Sequence, residues 1–182
     1  MKALVPLITL ALLAACRRDD IEVRRVPKED QPGASAMADS ARPGGLHWTA
    51  PAGWKQLPGN GMRVATFEIP DGPGKAEVTV IALPGDVGGE LANVNRWRGQ
   101  IALAPITEAQ LAGMRSSVGS RAGEILTYDF TGGGVKRTRV LAGMIRVSGV
   151  TWFFKLMGDE AAVAATRPAF LKMLKGLKGD AA

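Results

Sequence analysis

The sequence holds one cysteine, Cys16, one histidine, His47, and one tyrosine among 182 residues, and each scarcity removes a class of chemistry. A single thiol cannot close an intramolecular disulfide, so any folded part must stand on its packed core. One histidine and one cysteine are too few for a His/Cys zinc site or a Ser-His-Asp triad. His47, beside Trp48, reads as a packed or solvated side chain. A phosphate-cradling signature is also missing, because Gly85-Asp86-Val87-Gly88-Gly89 lacks a following Lys-Ser/Thr and the full dinucleotide spacing. These glycines predict a turn, or a ligand loop that delivers the chain to a helix amino terminus. The carboxylate pairs Asp86 with Glu90 and Asp159 with Glu160 fall where helix starts attract acidic residues. The sequence therefore predicts no catalytic residues, no metal site and no cofactor, and a chain that is not an enzyme.

Long hydrophobic runs are absent too. The one apolar stretch, Ala3 to Leu12 with Pro6 inside it, follows Met1-Lys2 and stops at Arg17-Arg18-Asp19-Asp20. That is shorter than the ~20 residues a helix needs to cross a bilayer, and it has the layout of a signal peptide covering 1–15. Leu13-Ala14-Ala15-Cys16 resembles the lipobox of bacterial lipoprotein precursors. The resemblance implies cleavage before Cys16, a diacylglycerol on its thiol and often a further acyl group on the new amino terminus. Several acyl chains, at ~0.8 kcal/mol per buried methylene, hold a protein on a membrane where one would not. Arg17, rather than Asp, follows the acylated residue, which by the same resemblance points to the periplasmic face of the outer membrane in a diderm host.

Residues 17–44 carry six basic and six acidic side chains, Pro27, Pro32 and Pro43, and few large apolar residues. Such a composition cannot build a core and predicts a flexible tether with a root-mean-square reach of about 30 Å. From 45 onward there are sixteen Lys or Arg against eleven Asp or Glu, so the excess positive charge lies in the expected domain, 45–178. In a cytoplasmic protein that excess would point to nucleic acid. Export removes nucleic acid and leaves an acidic envelope protein, an anionic polymer or lipid head groups as partners, or a solvated excess with no role.

Within that domain, Leu46 to Pro51 and Gly53-Trp54 predict an opening strand and a turn, with Trp48 and Trp54 as apolar anchors. Met62 to Ile69 alternates with a period of two that buries Ala65, Phe67 and Ile69. Asp71-Gly72-Pro73-Gly74 turns the chain into a returning strand, Lys75 to Leu83. Leu91, Val94, Trp97 and Ile101 then fall at helical spacing. Thr107 and Gln110 form a capping-box pair for a second helix expected to end near Gly119. Ile125 to Phe130, Val135 to Val147 and Val150 to Met157 read as three further strands. Asp159 is placed to cap a closing helix through Val163, Phe170 and Leu174, which Pro168 must kink or begin. Lys136-Arg137-Thr138-Arg139 with Arg146 forms a basic cluster on an exposed face or edge.

The most unusual segment is Asn93-Val94-Asn95-Arg96-Trp97-Arg98-Gly99-Gln100, which gathers amide and guanidinium donors around an indole. With Trp97 turned to the core, Asn93, Arg96 and Gln100 share an adjoining face able to bind carboxylate or phosphate. Asn93, Asn95, Arg96, Trp97, Arg98 and Gln100 are the candidate ligand or partner residues. A second account is open: Asn93 or Asn95 satisfies backbone groups of the glycine loop, and Arg96 and Arg98 lie in water with their stems over apolar surface.

The order of a Trp/Pro/Gly-Trp opening, a hairpin, an inserted helical region, three strands ending in Trp152 to Gly158 and a closing helix with Phe170 resembles the PsbP-like superfamily over 46–177. That resemblance implies an α+β fold: an antiparallel sheet of five to six strands flanked by helices, an α/β/α sandwich. It also implies a non-enzymatic binding or assembly role. The expectation is a membrane-tethered module recognising an acidic protein or polymer. The alternative is a small-molecule sensor or carrier with an enclosed apolar pocket above about 300 Å³.

Overall fold

The computed structural model describes residues 45–70, 72–135 and 137–180. The expected signal peptide, Cys16 and the tether all lie outside them, as do Asp71 and Lys136. The described residues open with β1 (Leu46–His47), β2 (Lys55–Leu57), β3 (Arg63–Glu68) and β4 (Ala76–Pro84). Two helices follow, α1 (Gly89–Gln100) and α2 (Glu108–Met114). Strands β5 (Ser116–Ser120), β6 (Gly123–Thr131), β7 (Thr138–Val147) and β8 (Val150–Asp159) come next, followed by α3 (Glu160–Lys175) and β9 (Lys178–Gly179).

Seven strands form one antiparallel sheet in the order β2-β3-β4-β8-β7-β6-β5. β1 and β9 pair apart from it as a two-stranded sheet. The class is the expected α+β, with more strands than the sequence predicts. Because side chains alternate across a sheet, each central strand serves two cores. On β8, Trp152, Phe154 and Leu156 pack with Val163, Phe170 and Leu174 of α3, while Phe153 joins Val94 and Trp97 of α1 and Leu111 of α2. Helices therefore cover both faces, and the expected aromatic strand lies at the middle of the sheet.

Three expectations need correction. The second helix ends at Met114, not near Gly119: Ser116–Ser120 is the edge strand β5, paired with β6. Of the two placements open to the basic cluster, an edge is ruled out because β7 lies between β8 and β6, while Arg137 and Arg146 are exposed. Arg139 instead donates two hydrogen bonds of 2.7 Å to Asp129, and Arg137 pairs with Glu160 at 3.2 Å. Asp159 occupies the first flanking position of α3, yet its carboxylate accepts no bond from that helix and takes the Lys75 backbone N–H at 3.0 Å. Pro168 lies inside α3, where Ala164 would lose the bond proline cannot donate; both residues face solvent, so water can take the freed carbonyl.

Candidate functional site

Helix α1 turns Val94 and Trp97 inward, and Trp97 meets Phe153 edge-on with ring centroids 5.9 Å apart. This orientation decides the fate of every polar residue in the unusual segment. Asn93 is buried, and its amide donates to the carbonyls of Val87 (2.7 Å) and Gly89 (2.6 Å), closing the glycine loop onto the helix. Asn95 bridges to the next connection, donating to Ile106 O at 3.0 Å and accepting from Ile106 N at 2.8 Å. Arg98 donates through Nε to Ala104 O at 2.9 Å, with its guanidinium 5.8 Å from the centre of the Phe130 ring. Asn93, Asn95, Trp97 and Arg98 thus hold α1 and its flanking loops in place.

Arg96 and Gln100 lead elsewhere. Arg96 donates to Asn93 Oδ1 at 2.5 Å and carries its charge 6.0 Å from the centre of the Phe153 ring. Gln100, one turn further on, accepts from Lys155 Nζ at 2.8 Å. Lys155 lies on β8 in register with Thr79 of β4, which in turn faces Thr66 of β3. Both threonines are buried, so the lysine stem rises from a dry floor between α1 and the β3–β4 hairpin. Arg63, at the start of β3, bonds Glu77 of β4 at 3.3 Å. Burial is the largest influence on the Lys155 ammonium and lowers its pKa. Arg63 lowers it further, Glu77 opposes, and Arg96 adds to the lowering.

Arg63 and Arg96 thus both bear on Lys155, and among the described residues Glu77 is the carboxylate that opposes them. Lys55 and Glu68 lie in register with each other one row along the sheet, and Glu68 faces Glu77. Sequence reasoning missed Arg63 and Lys155. The available signal was Lys155 itself, a cation inside Trp152-Phe153-Phe154-Lys155-Leu156-Met157, where every neighbour is apolar.

No protein-family model matches this chain, and no curated protein does. Sixteen chains of known structure match it. The chain is similar in fold to LpqN. That Mycobacterium tuberculosis protein, described as involved in cell envelope biogenesis, matches at 13% identity over 76% of this chain and 86% of its own, with a TM-score of 0.50. A Bacteroides thetaiotaomicron protein matches at 9% identity over 75% and 45% of the two chains, TM-score 0.45. A Pseudomonas aeruginosa protein of unknown function, PA94, matches at 12% over 75% and 84%, TM-score 0.38. At 13% identity the likeness to LpqN shows a shared architecture. Among the described residues no helix is long and apolar enough to cross a membrane, and no cluster of three or more His, Cys, Asp or Glu is placed to hold a metal.

A second polar network lies on the same side of the sheet. Glu90 of α1 accepts from Arg115 through both carboxylate oxygens, at 2.7 and 2.6 Å, and also from the Tyr128 hydroxyl on β6. This network ties the start of α1, the end of α2 and the sheet together. Burial raises the Glu90 pKa, but the bonds from Arg115 and Tyr128 and the Arg115 charge outweigh it, and the net shift is downward. A carboxylate held below its ordinary value of 4.5 stabilises the fold above that pH, and the contribution is lost as pH falls through the depressed value. Denaturant midpoints should therefore fall as pH drops below about 5. Glu90→Gln should lose about 2 kcal/mol at neutral pH and flatten that acid slope. Equal acid slopes in the two proteins would show that Glu90 contributes nothing to it.

At the opposite face, Thr49, Ala50, Pro51 and Ala52 face Ala169, Lys172 and Met173 of α3 across a groove of about 480 Å³. Several of its walls are exposed residues, so it differs from the enclosed pocket expected of a carrier.

Proposed function

We propose that this chain is a non-enzymatic binding or assembly module of the bacterial cell envelope, recognising an acidic protein or polymer through the face that carries Arg63, Arg96, Gln100 and Lys155. One observation carries the reading: donors there outnumber acceptors. Asn93 Oδ1 and Gln100 Oε1 are each engaged by a cation, and Glu77 is engaged by Arg63. A guanidinium has five N–H donors and an ammonium three, so most of the donor capacity there is not taken up by Asn93, Gln100 and Glu77. Clustered cations with one local counter-charge steer and hold anionic partners.

The wider setting belongs to the same proposal: a signal peptide removed before Cys16, lipid on Cys16, a tether through residue 44, the outer membrane in a diderm host, and kinship with PsbP-like proteins. The lipobox-like Leu13-Ala14-Ala15-Cys16 supports the anchor, and the element order supports the kinship. A shared architecture with LpqN, a protein involved in cell envelope biogenesis, supports the envelope setting. Export leaves nucleic acid out as a partner. A second reading, a small-molecule carrier, draws on the groove beside α3, whose volume falls in the range of small-molecule sites.

Crosslinking in intact cells of the native host, followed by mass spectrometry, is the test. Arg96→Ala should reduce capture of envelope partners by about fivefold or more while the protein stays folded, with a thermal midpoint about 4 °C lower because buried Asn93 Oδ1 loses its donor. Undiminished capture by a folded Arg96→Ala protein would remove this face from the function.

A further inference from the structure

The charge count and the directions of approach narrow the ligand chemistry. Arg63 comes from β3, Lys155 from β8, and Arg96 and Gln100 from α1, so the donors converge from three separate elements. A carboxylate is planar, matches one guanidinium fork and neutralises one charge. With Lys55 and Glu68 offsetting each other in the next row, three cations against Glu77 leave a local excess of two, and donors from several elements suit a tetrahedral group with three or four acceptor oxygens. We propose that this face seats a phosphoryl dianion of the phosphomonoester class, bound by Lys155, Arg96 and Arg63 with the Gln100 amide as a fourth donor. The assignment rests on reading the face as an anion-recognition surface.

The floor beneath the ligand strengthens the case. Thr66, Thr79 and Lys155 stand in one register row, and the two threonines are buried, so the ammonium is held against a water-poor surface. Lys155 is repelled by both arginines and only partly compensated by Glu77. A dianion placed among the three cations removes that repulsion, so binding is coupled to full protonation of Lys155. Carbonyl oxygens from Asn93 and Gln100 already satisfy one donor each from Arg96 and Lys155, which pre-orients both side chains at their observed positions.

The experiment is isothermal titration calorimetry of the protein purified from its native host in detergent, near pH 8 and at constant ionic strength. The probes are inorganic phosphate, glycerol 1-phosphate, dimethyl phosphate and acetate. Inorganic phosphate and glycerol 1-phosphate should bind about tenfold or more tightly than dimethyl phosphate and acetate, because only the dianions match the charge excess. Tighter binding of glycerol 1-phosphate than of inorganic phosphate would assign the group to a phosphorylated envelope component, and the reverse order to free phosphate. Lys155→Met and Arg96→Gln should each weaken phosphate by a similar factor. In the unaltered protein, saturating phosphate should slow acetic anhydride labelling of Lys155, measured by mass spectrometry, a readout that needs no variant to fold. The assignment is overturned if acetate or dimethyl phosphate binds as well as phosphate, if phosphate fails to bind or to protect Lys155, or if folded Lys155→Met binds it undiminished. Arg96-dependent capture of envelope partners without phosphate binding would overturn the ligand class and leave the broader function standing; loss of both would remove both.

Discussion

Trp152→Ala should lower the unfolding free energy by about 3–5 kcal/mol, the usual cost of deleting a fully buried aromatic side chain. Trp152 is 0% exposed on β8, the strand at the middle of the sheet, and its ring meets Trp48 edge-on at 5.9 Å. Trp48 also meets Phe154 at 5.9 Å and 89°, so the cavity would open in an aromatic cluster that joins the segment after β1 to the core. With Cys16 as the sole cysteine, no disulfide limits the loss. Marginal domains have about 5–15 kcal/mol to lose, so the variant should unfold at a much lower urea midpoint. Trp152→Phe should cost only about 1 kcal/mol. Nε1 of Trp152 has no hydrogen-bond partner among the described residues, so removing it relieves an unpaired buried donor and offsets part of the lost volume. Equal losses for the two variants would show that the indole N–H is not a liability.

The second large effect comes from a single methyl group. A Cβ at Gly158 would lie 2.1 Å from the Lys75 carbonyl oxygen and 2.6 Å from Ala76 Cα. Both obstacles are backbone, so no rotamer change relieves them, and β4 must separate from β8 where Asp159 N donates to Lys75 O at 2.8 Å. The same point hands β8 to α3, through Glu160 N donating to Arg137 O at 3.0 Å. Gly158→Ala should therefore cost about 3 kcal/mol, the upper part of the overpacking range. Gly133→Ala is the control: nothing lies within 4 Å of its Cβ position, and its effect should stay within about 0.5 kcal/mol. A Gly158→Ala thermal midpoint matching that of Gly133→Ala would contradict this strand contact.

Elements with a strong apolar period were legible in the sequence. Leu91, Val94, Trp97 and Ile101 predict α1, and the Trp152-Phe153-Phe154 run predicts a strand buried on both faces, because local spacing and burial agree there. Ser116-Ser117-Val118-Gly119-Ser120 gave no such signal. As an edge strand with three exposed residues it has little to bury, and its strand character comes from pairing with β6. Pairing of β1 with β9 joins residues more than a hundred positions apart, which no local pattern reports.

The candidate site divides along the same line. Arg96 and Gln100 were visible as helix-face donors, and the loop-satisfying role of Asn93 followed from its position behind the glycines. Lys155 and Arg63 were not visible, since only the register of β3, β4 and β8 brings them to the open side of α1. Fold class was thus readable from periodicity, whereas the cation cluster depends on long-range registry.

The short β1–β9 pair has a mechanical consequence. Leu46 pairs with Gly179, Asp180 N donates to Gly45 O at 2.8 Å, and the Asp180 carboxylate bonds His47 at 2.6 Å. Everything amino-terminal to Gly45 joins the body at this clasp, so tension arriving along that segment would peel a few bonds one after another before any of the seven-stranded sheet is loaded. Under pull this pair would open first, leaving undisturbed the register of β3, β4 and β8 that sets Arg63 and Lys155.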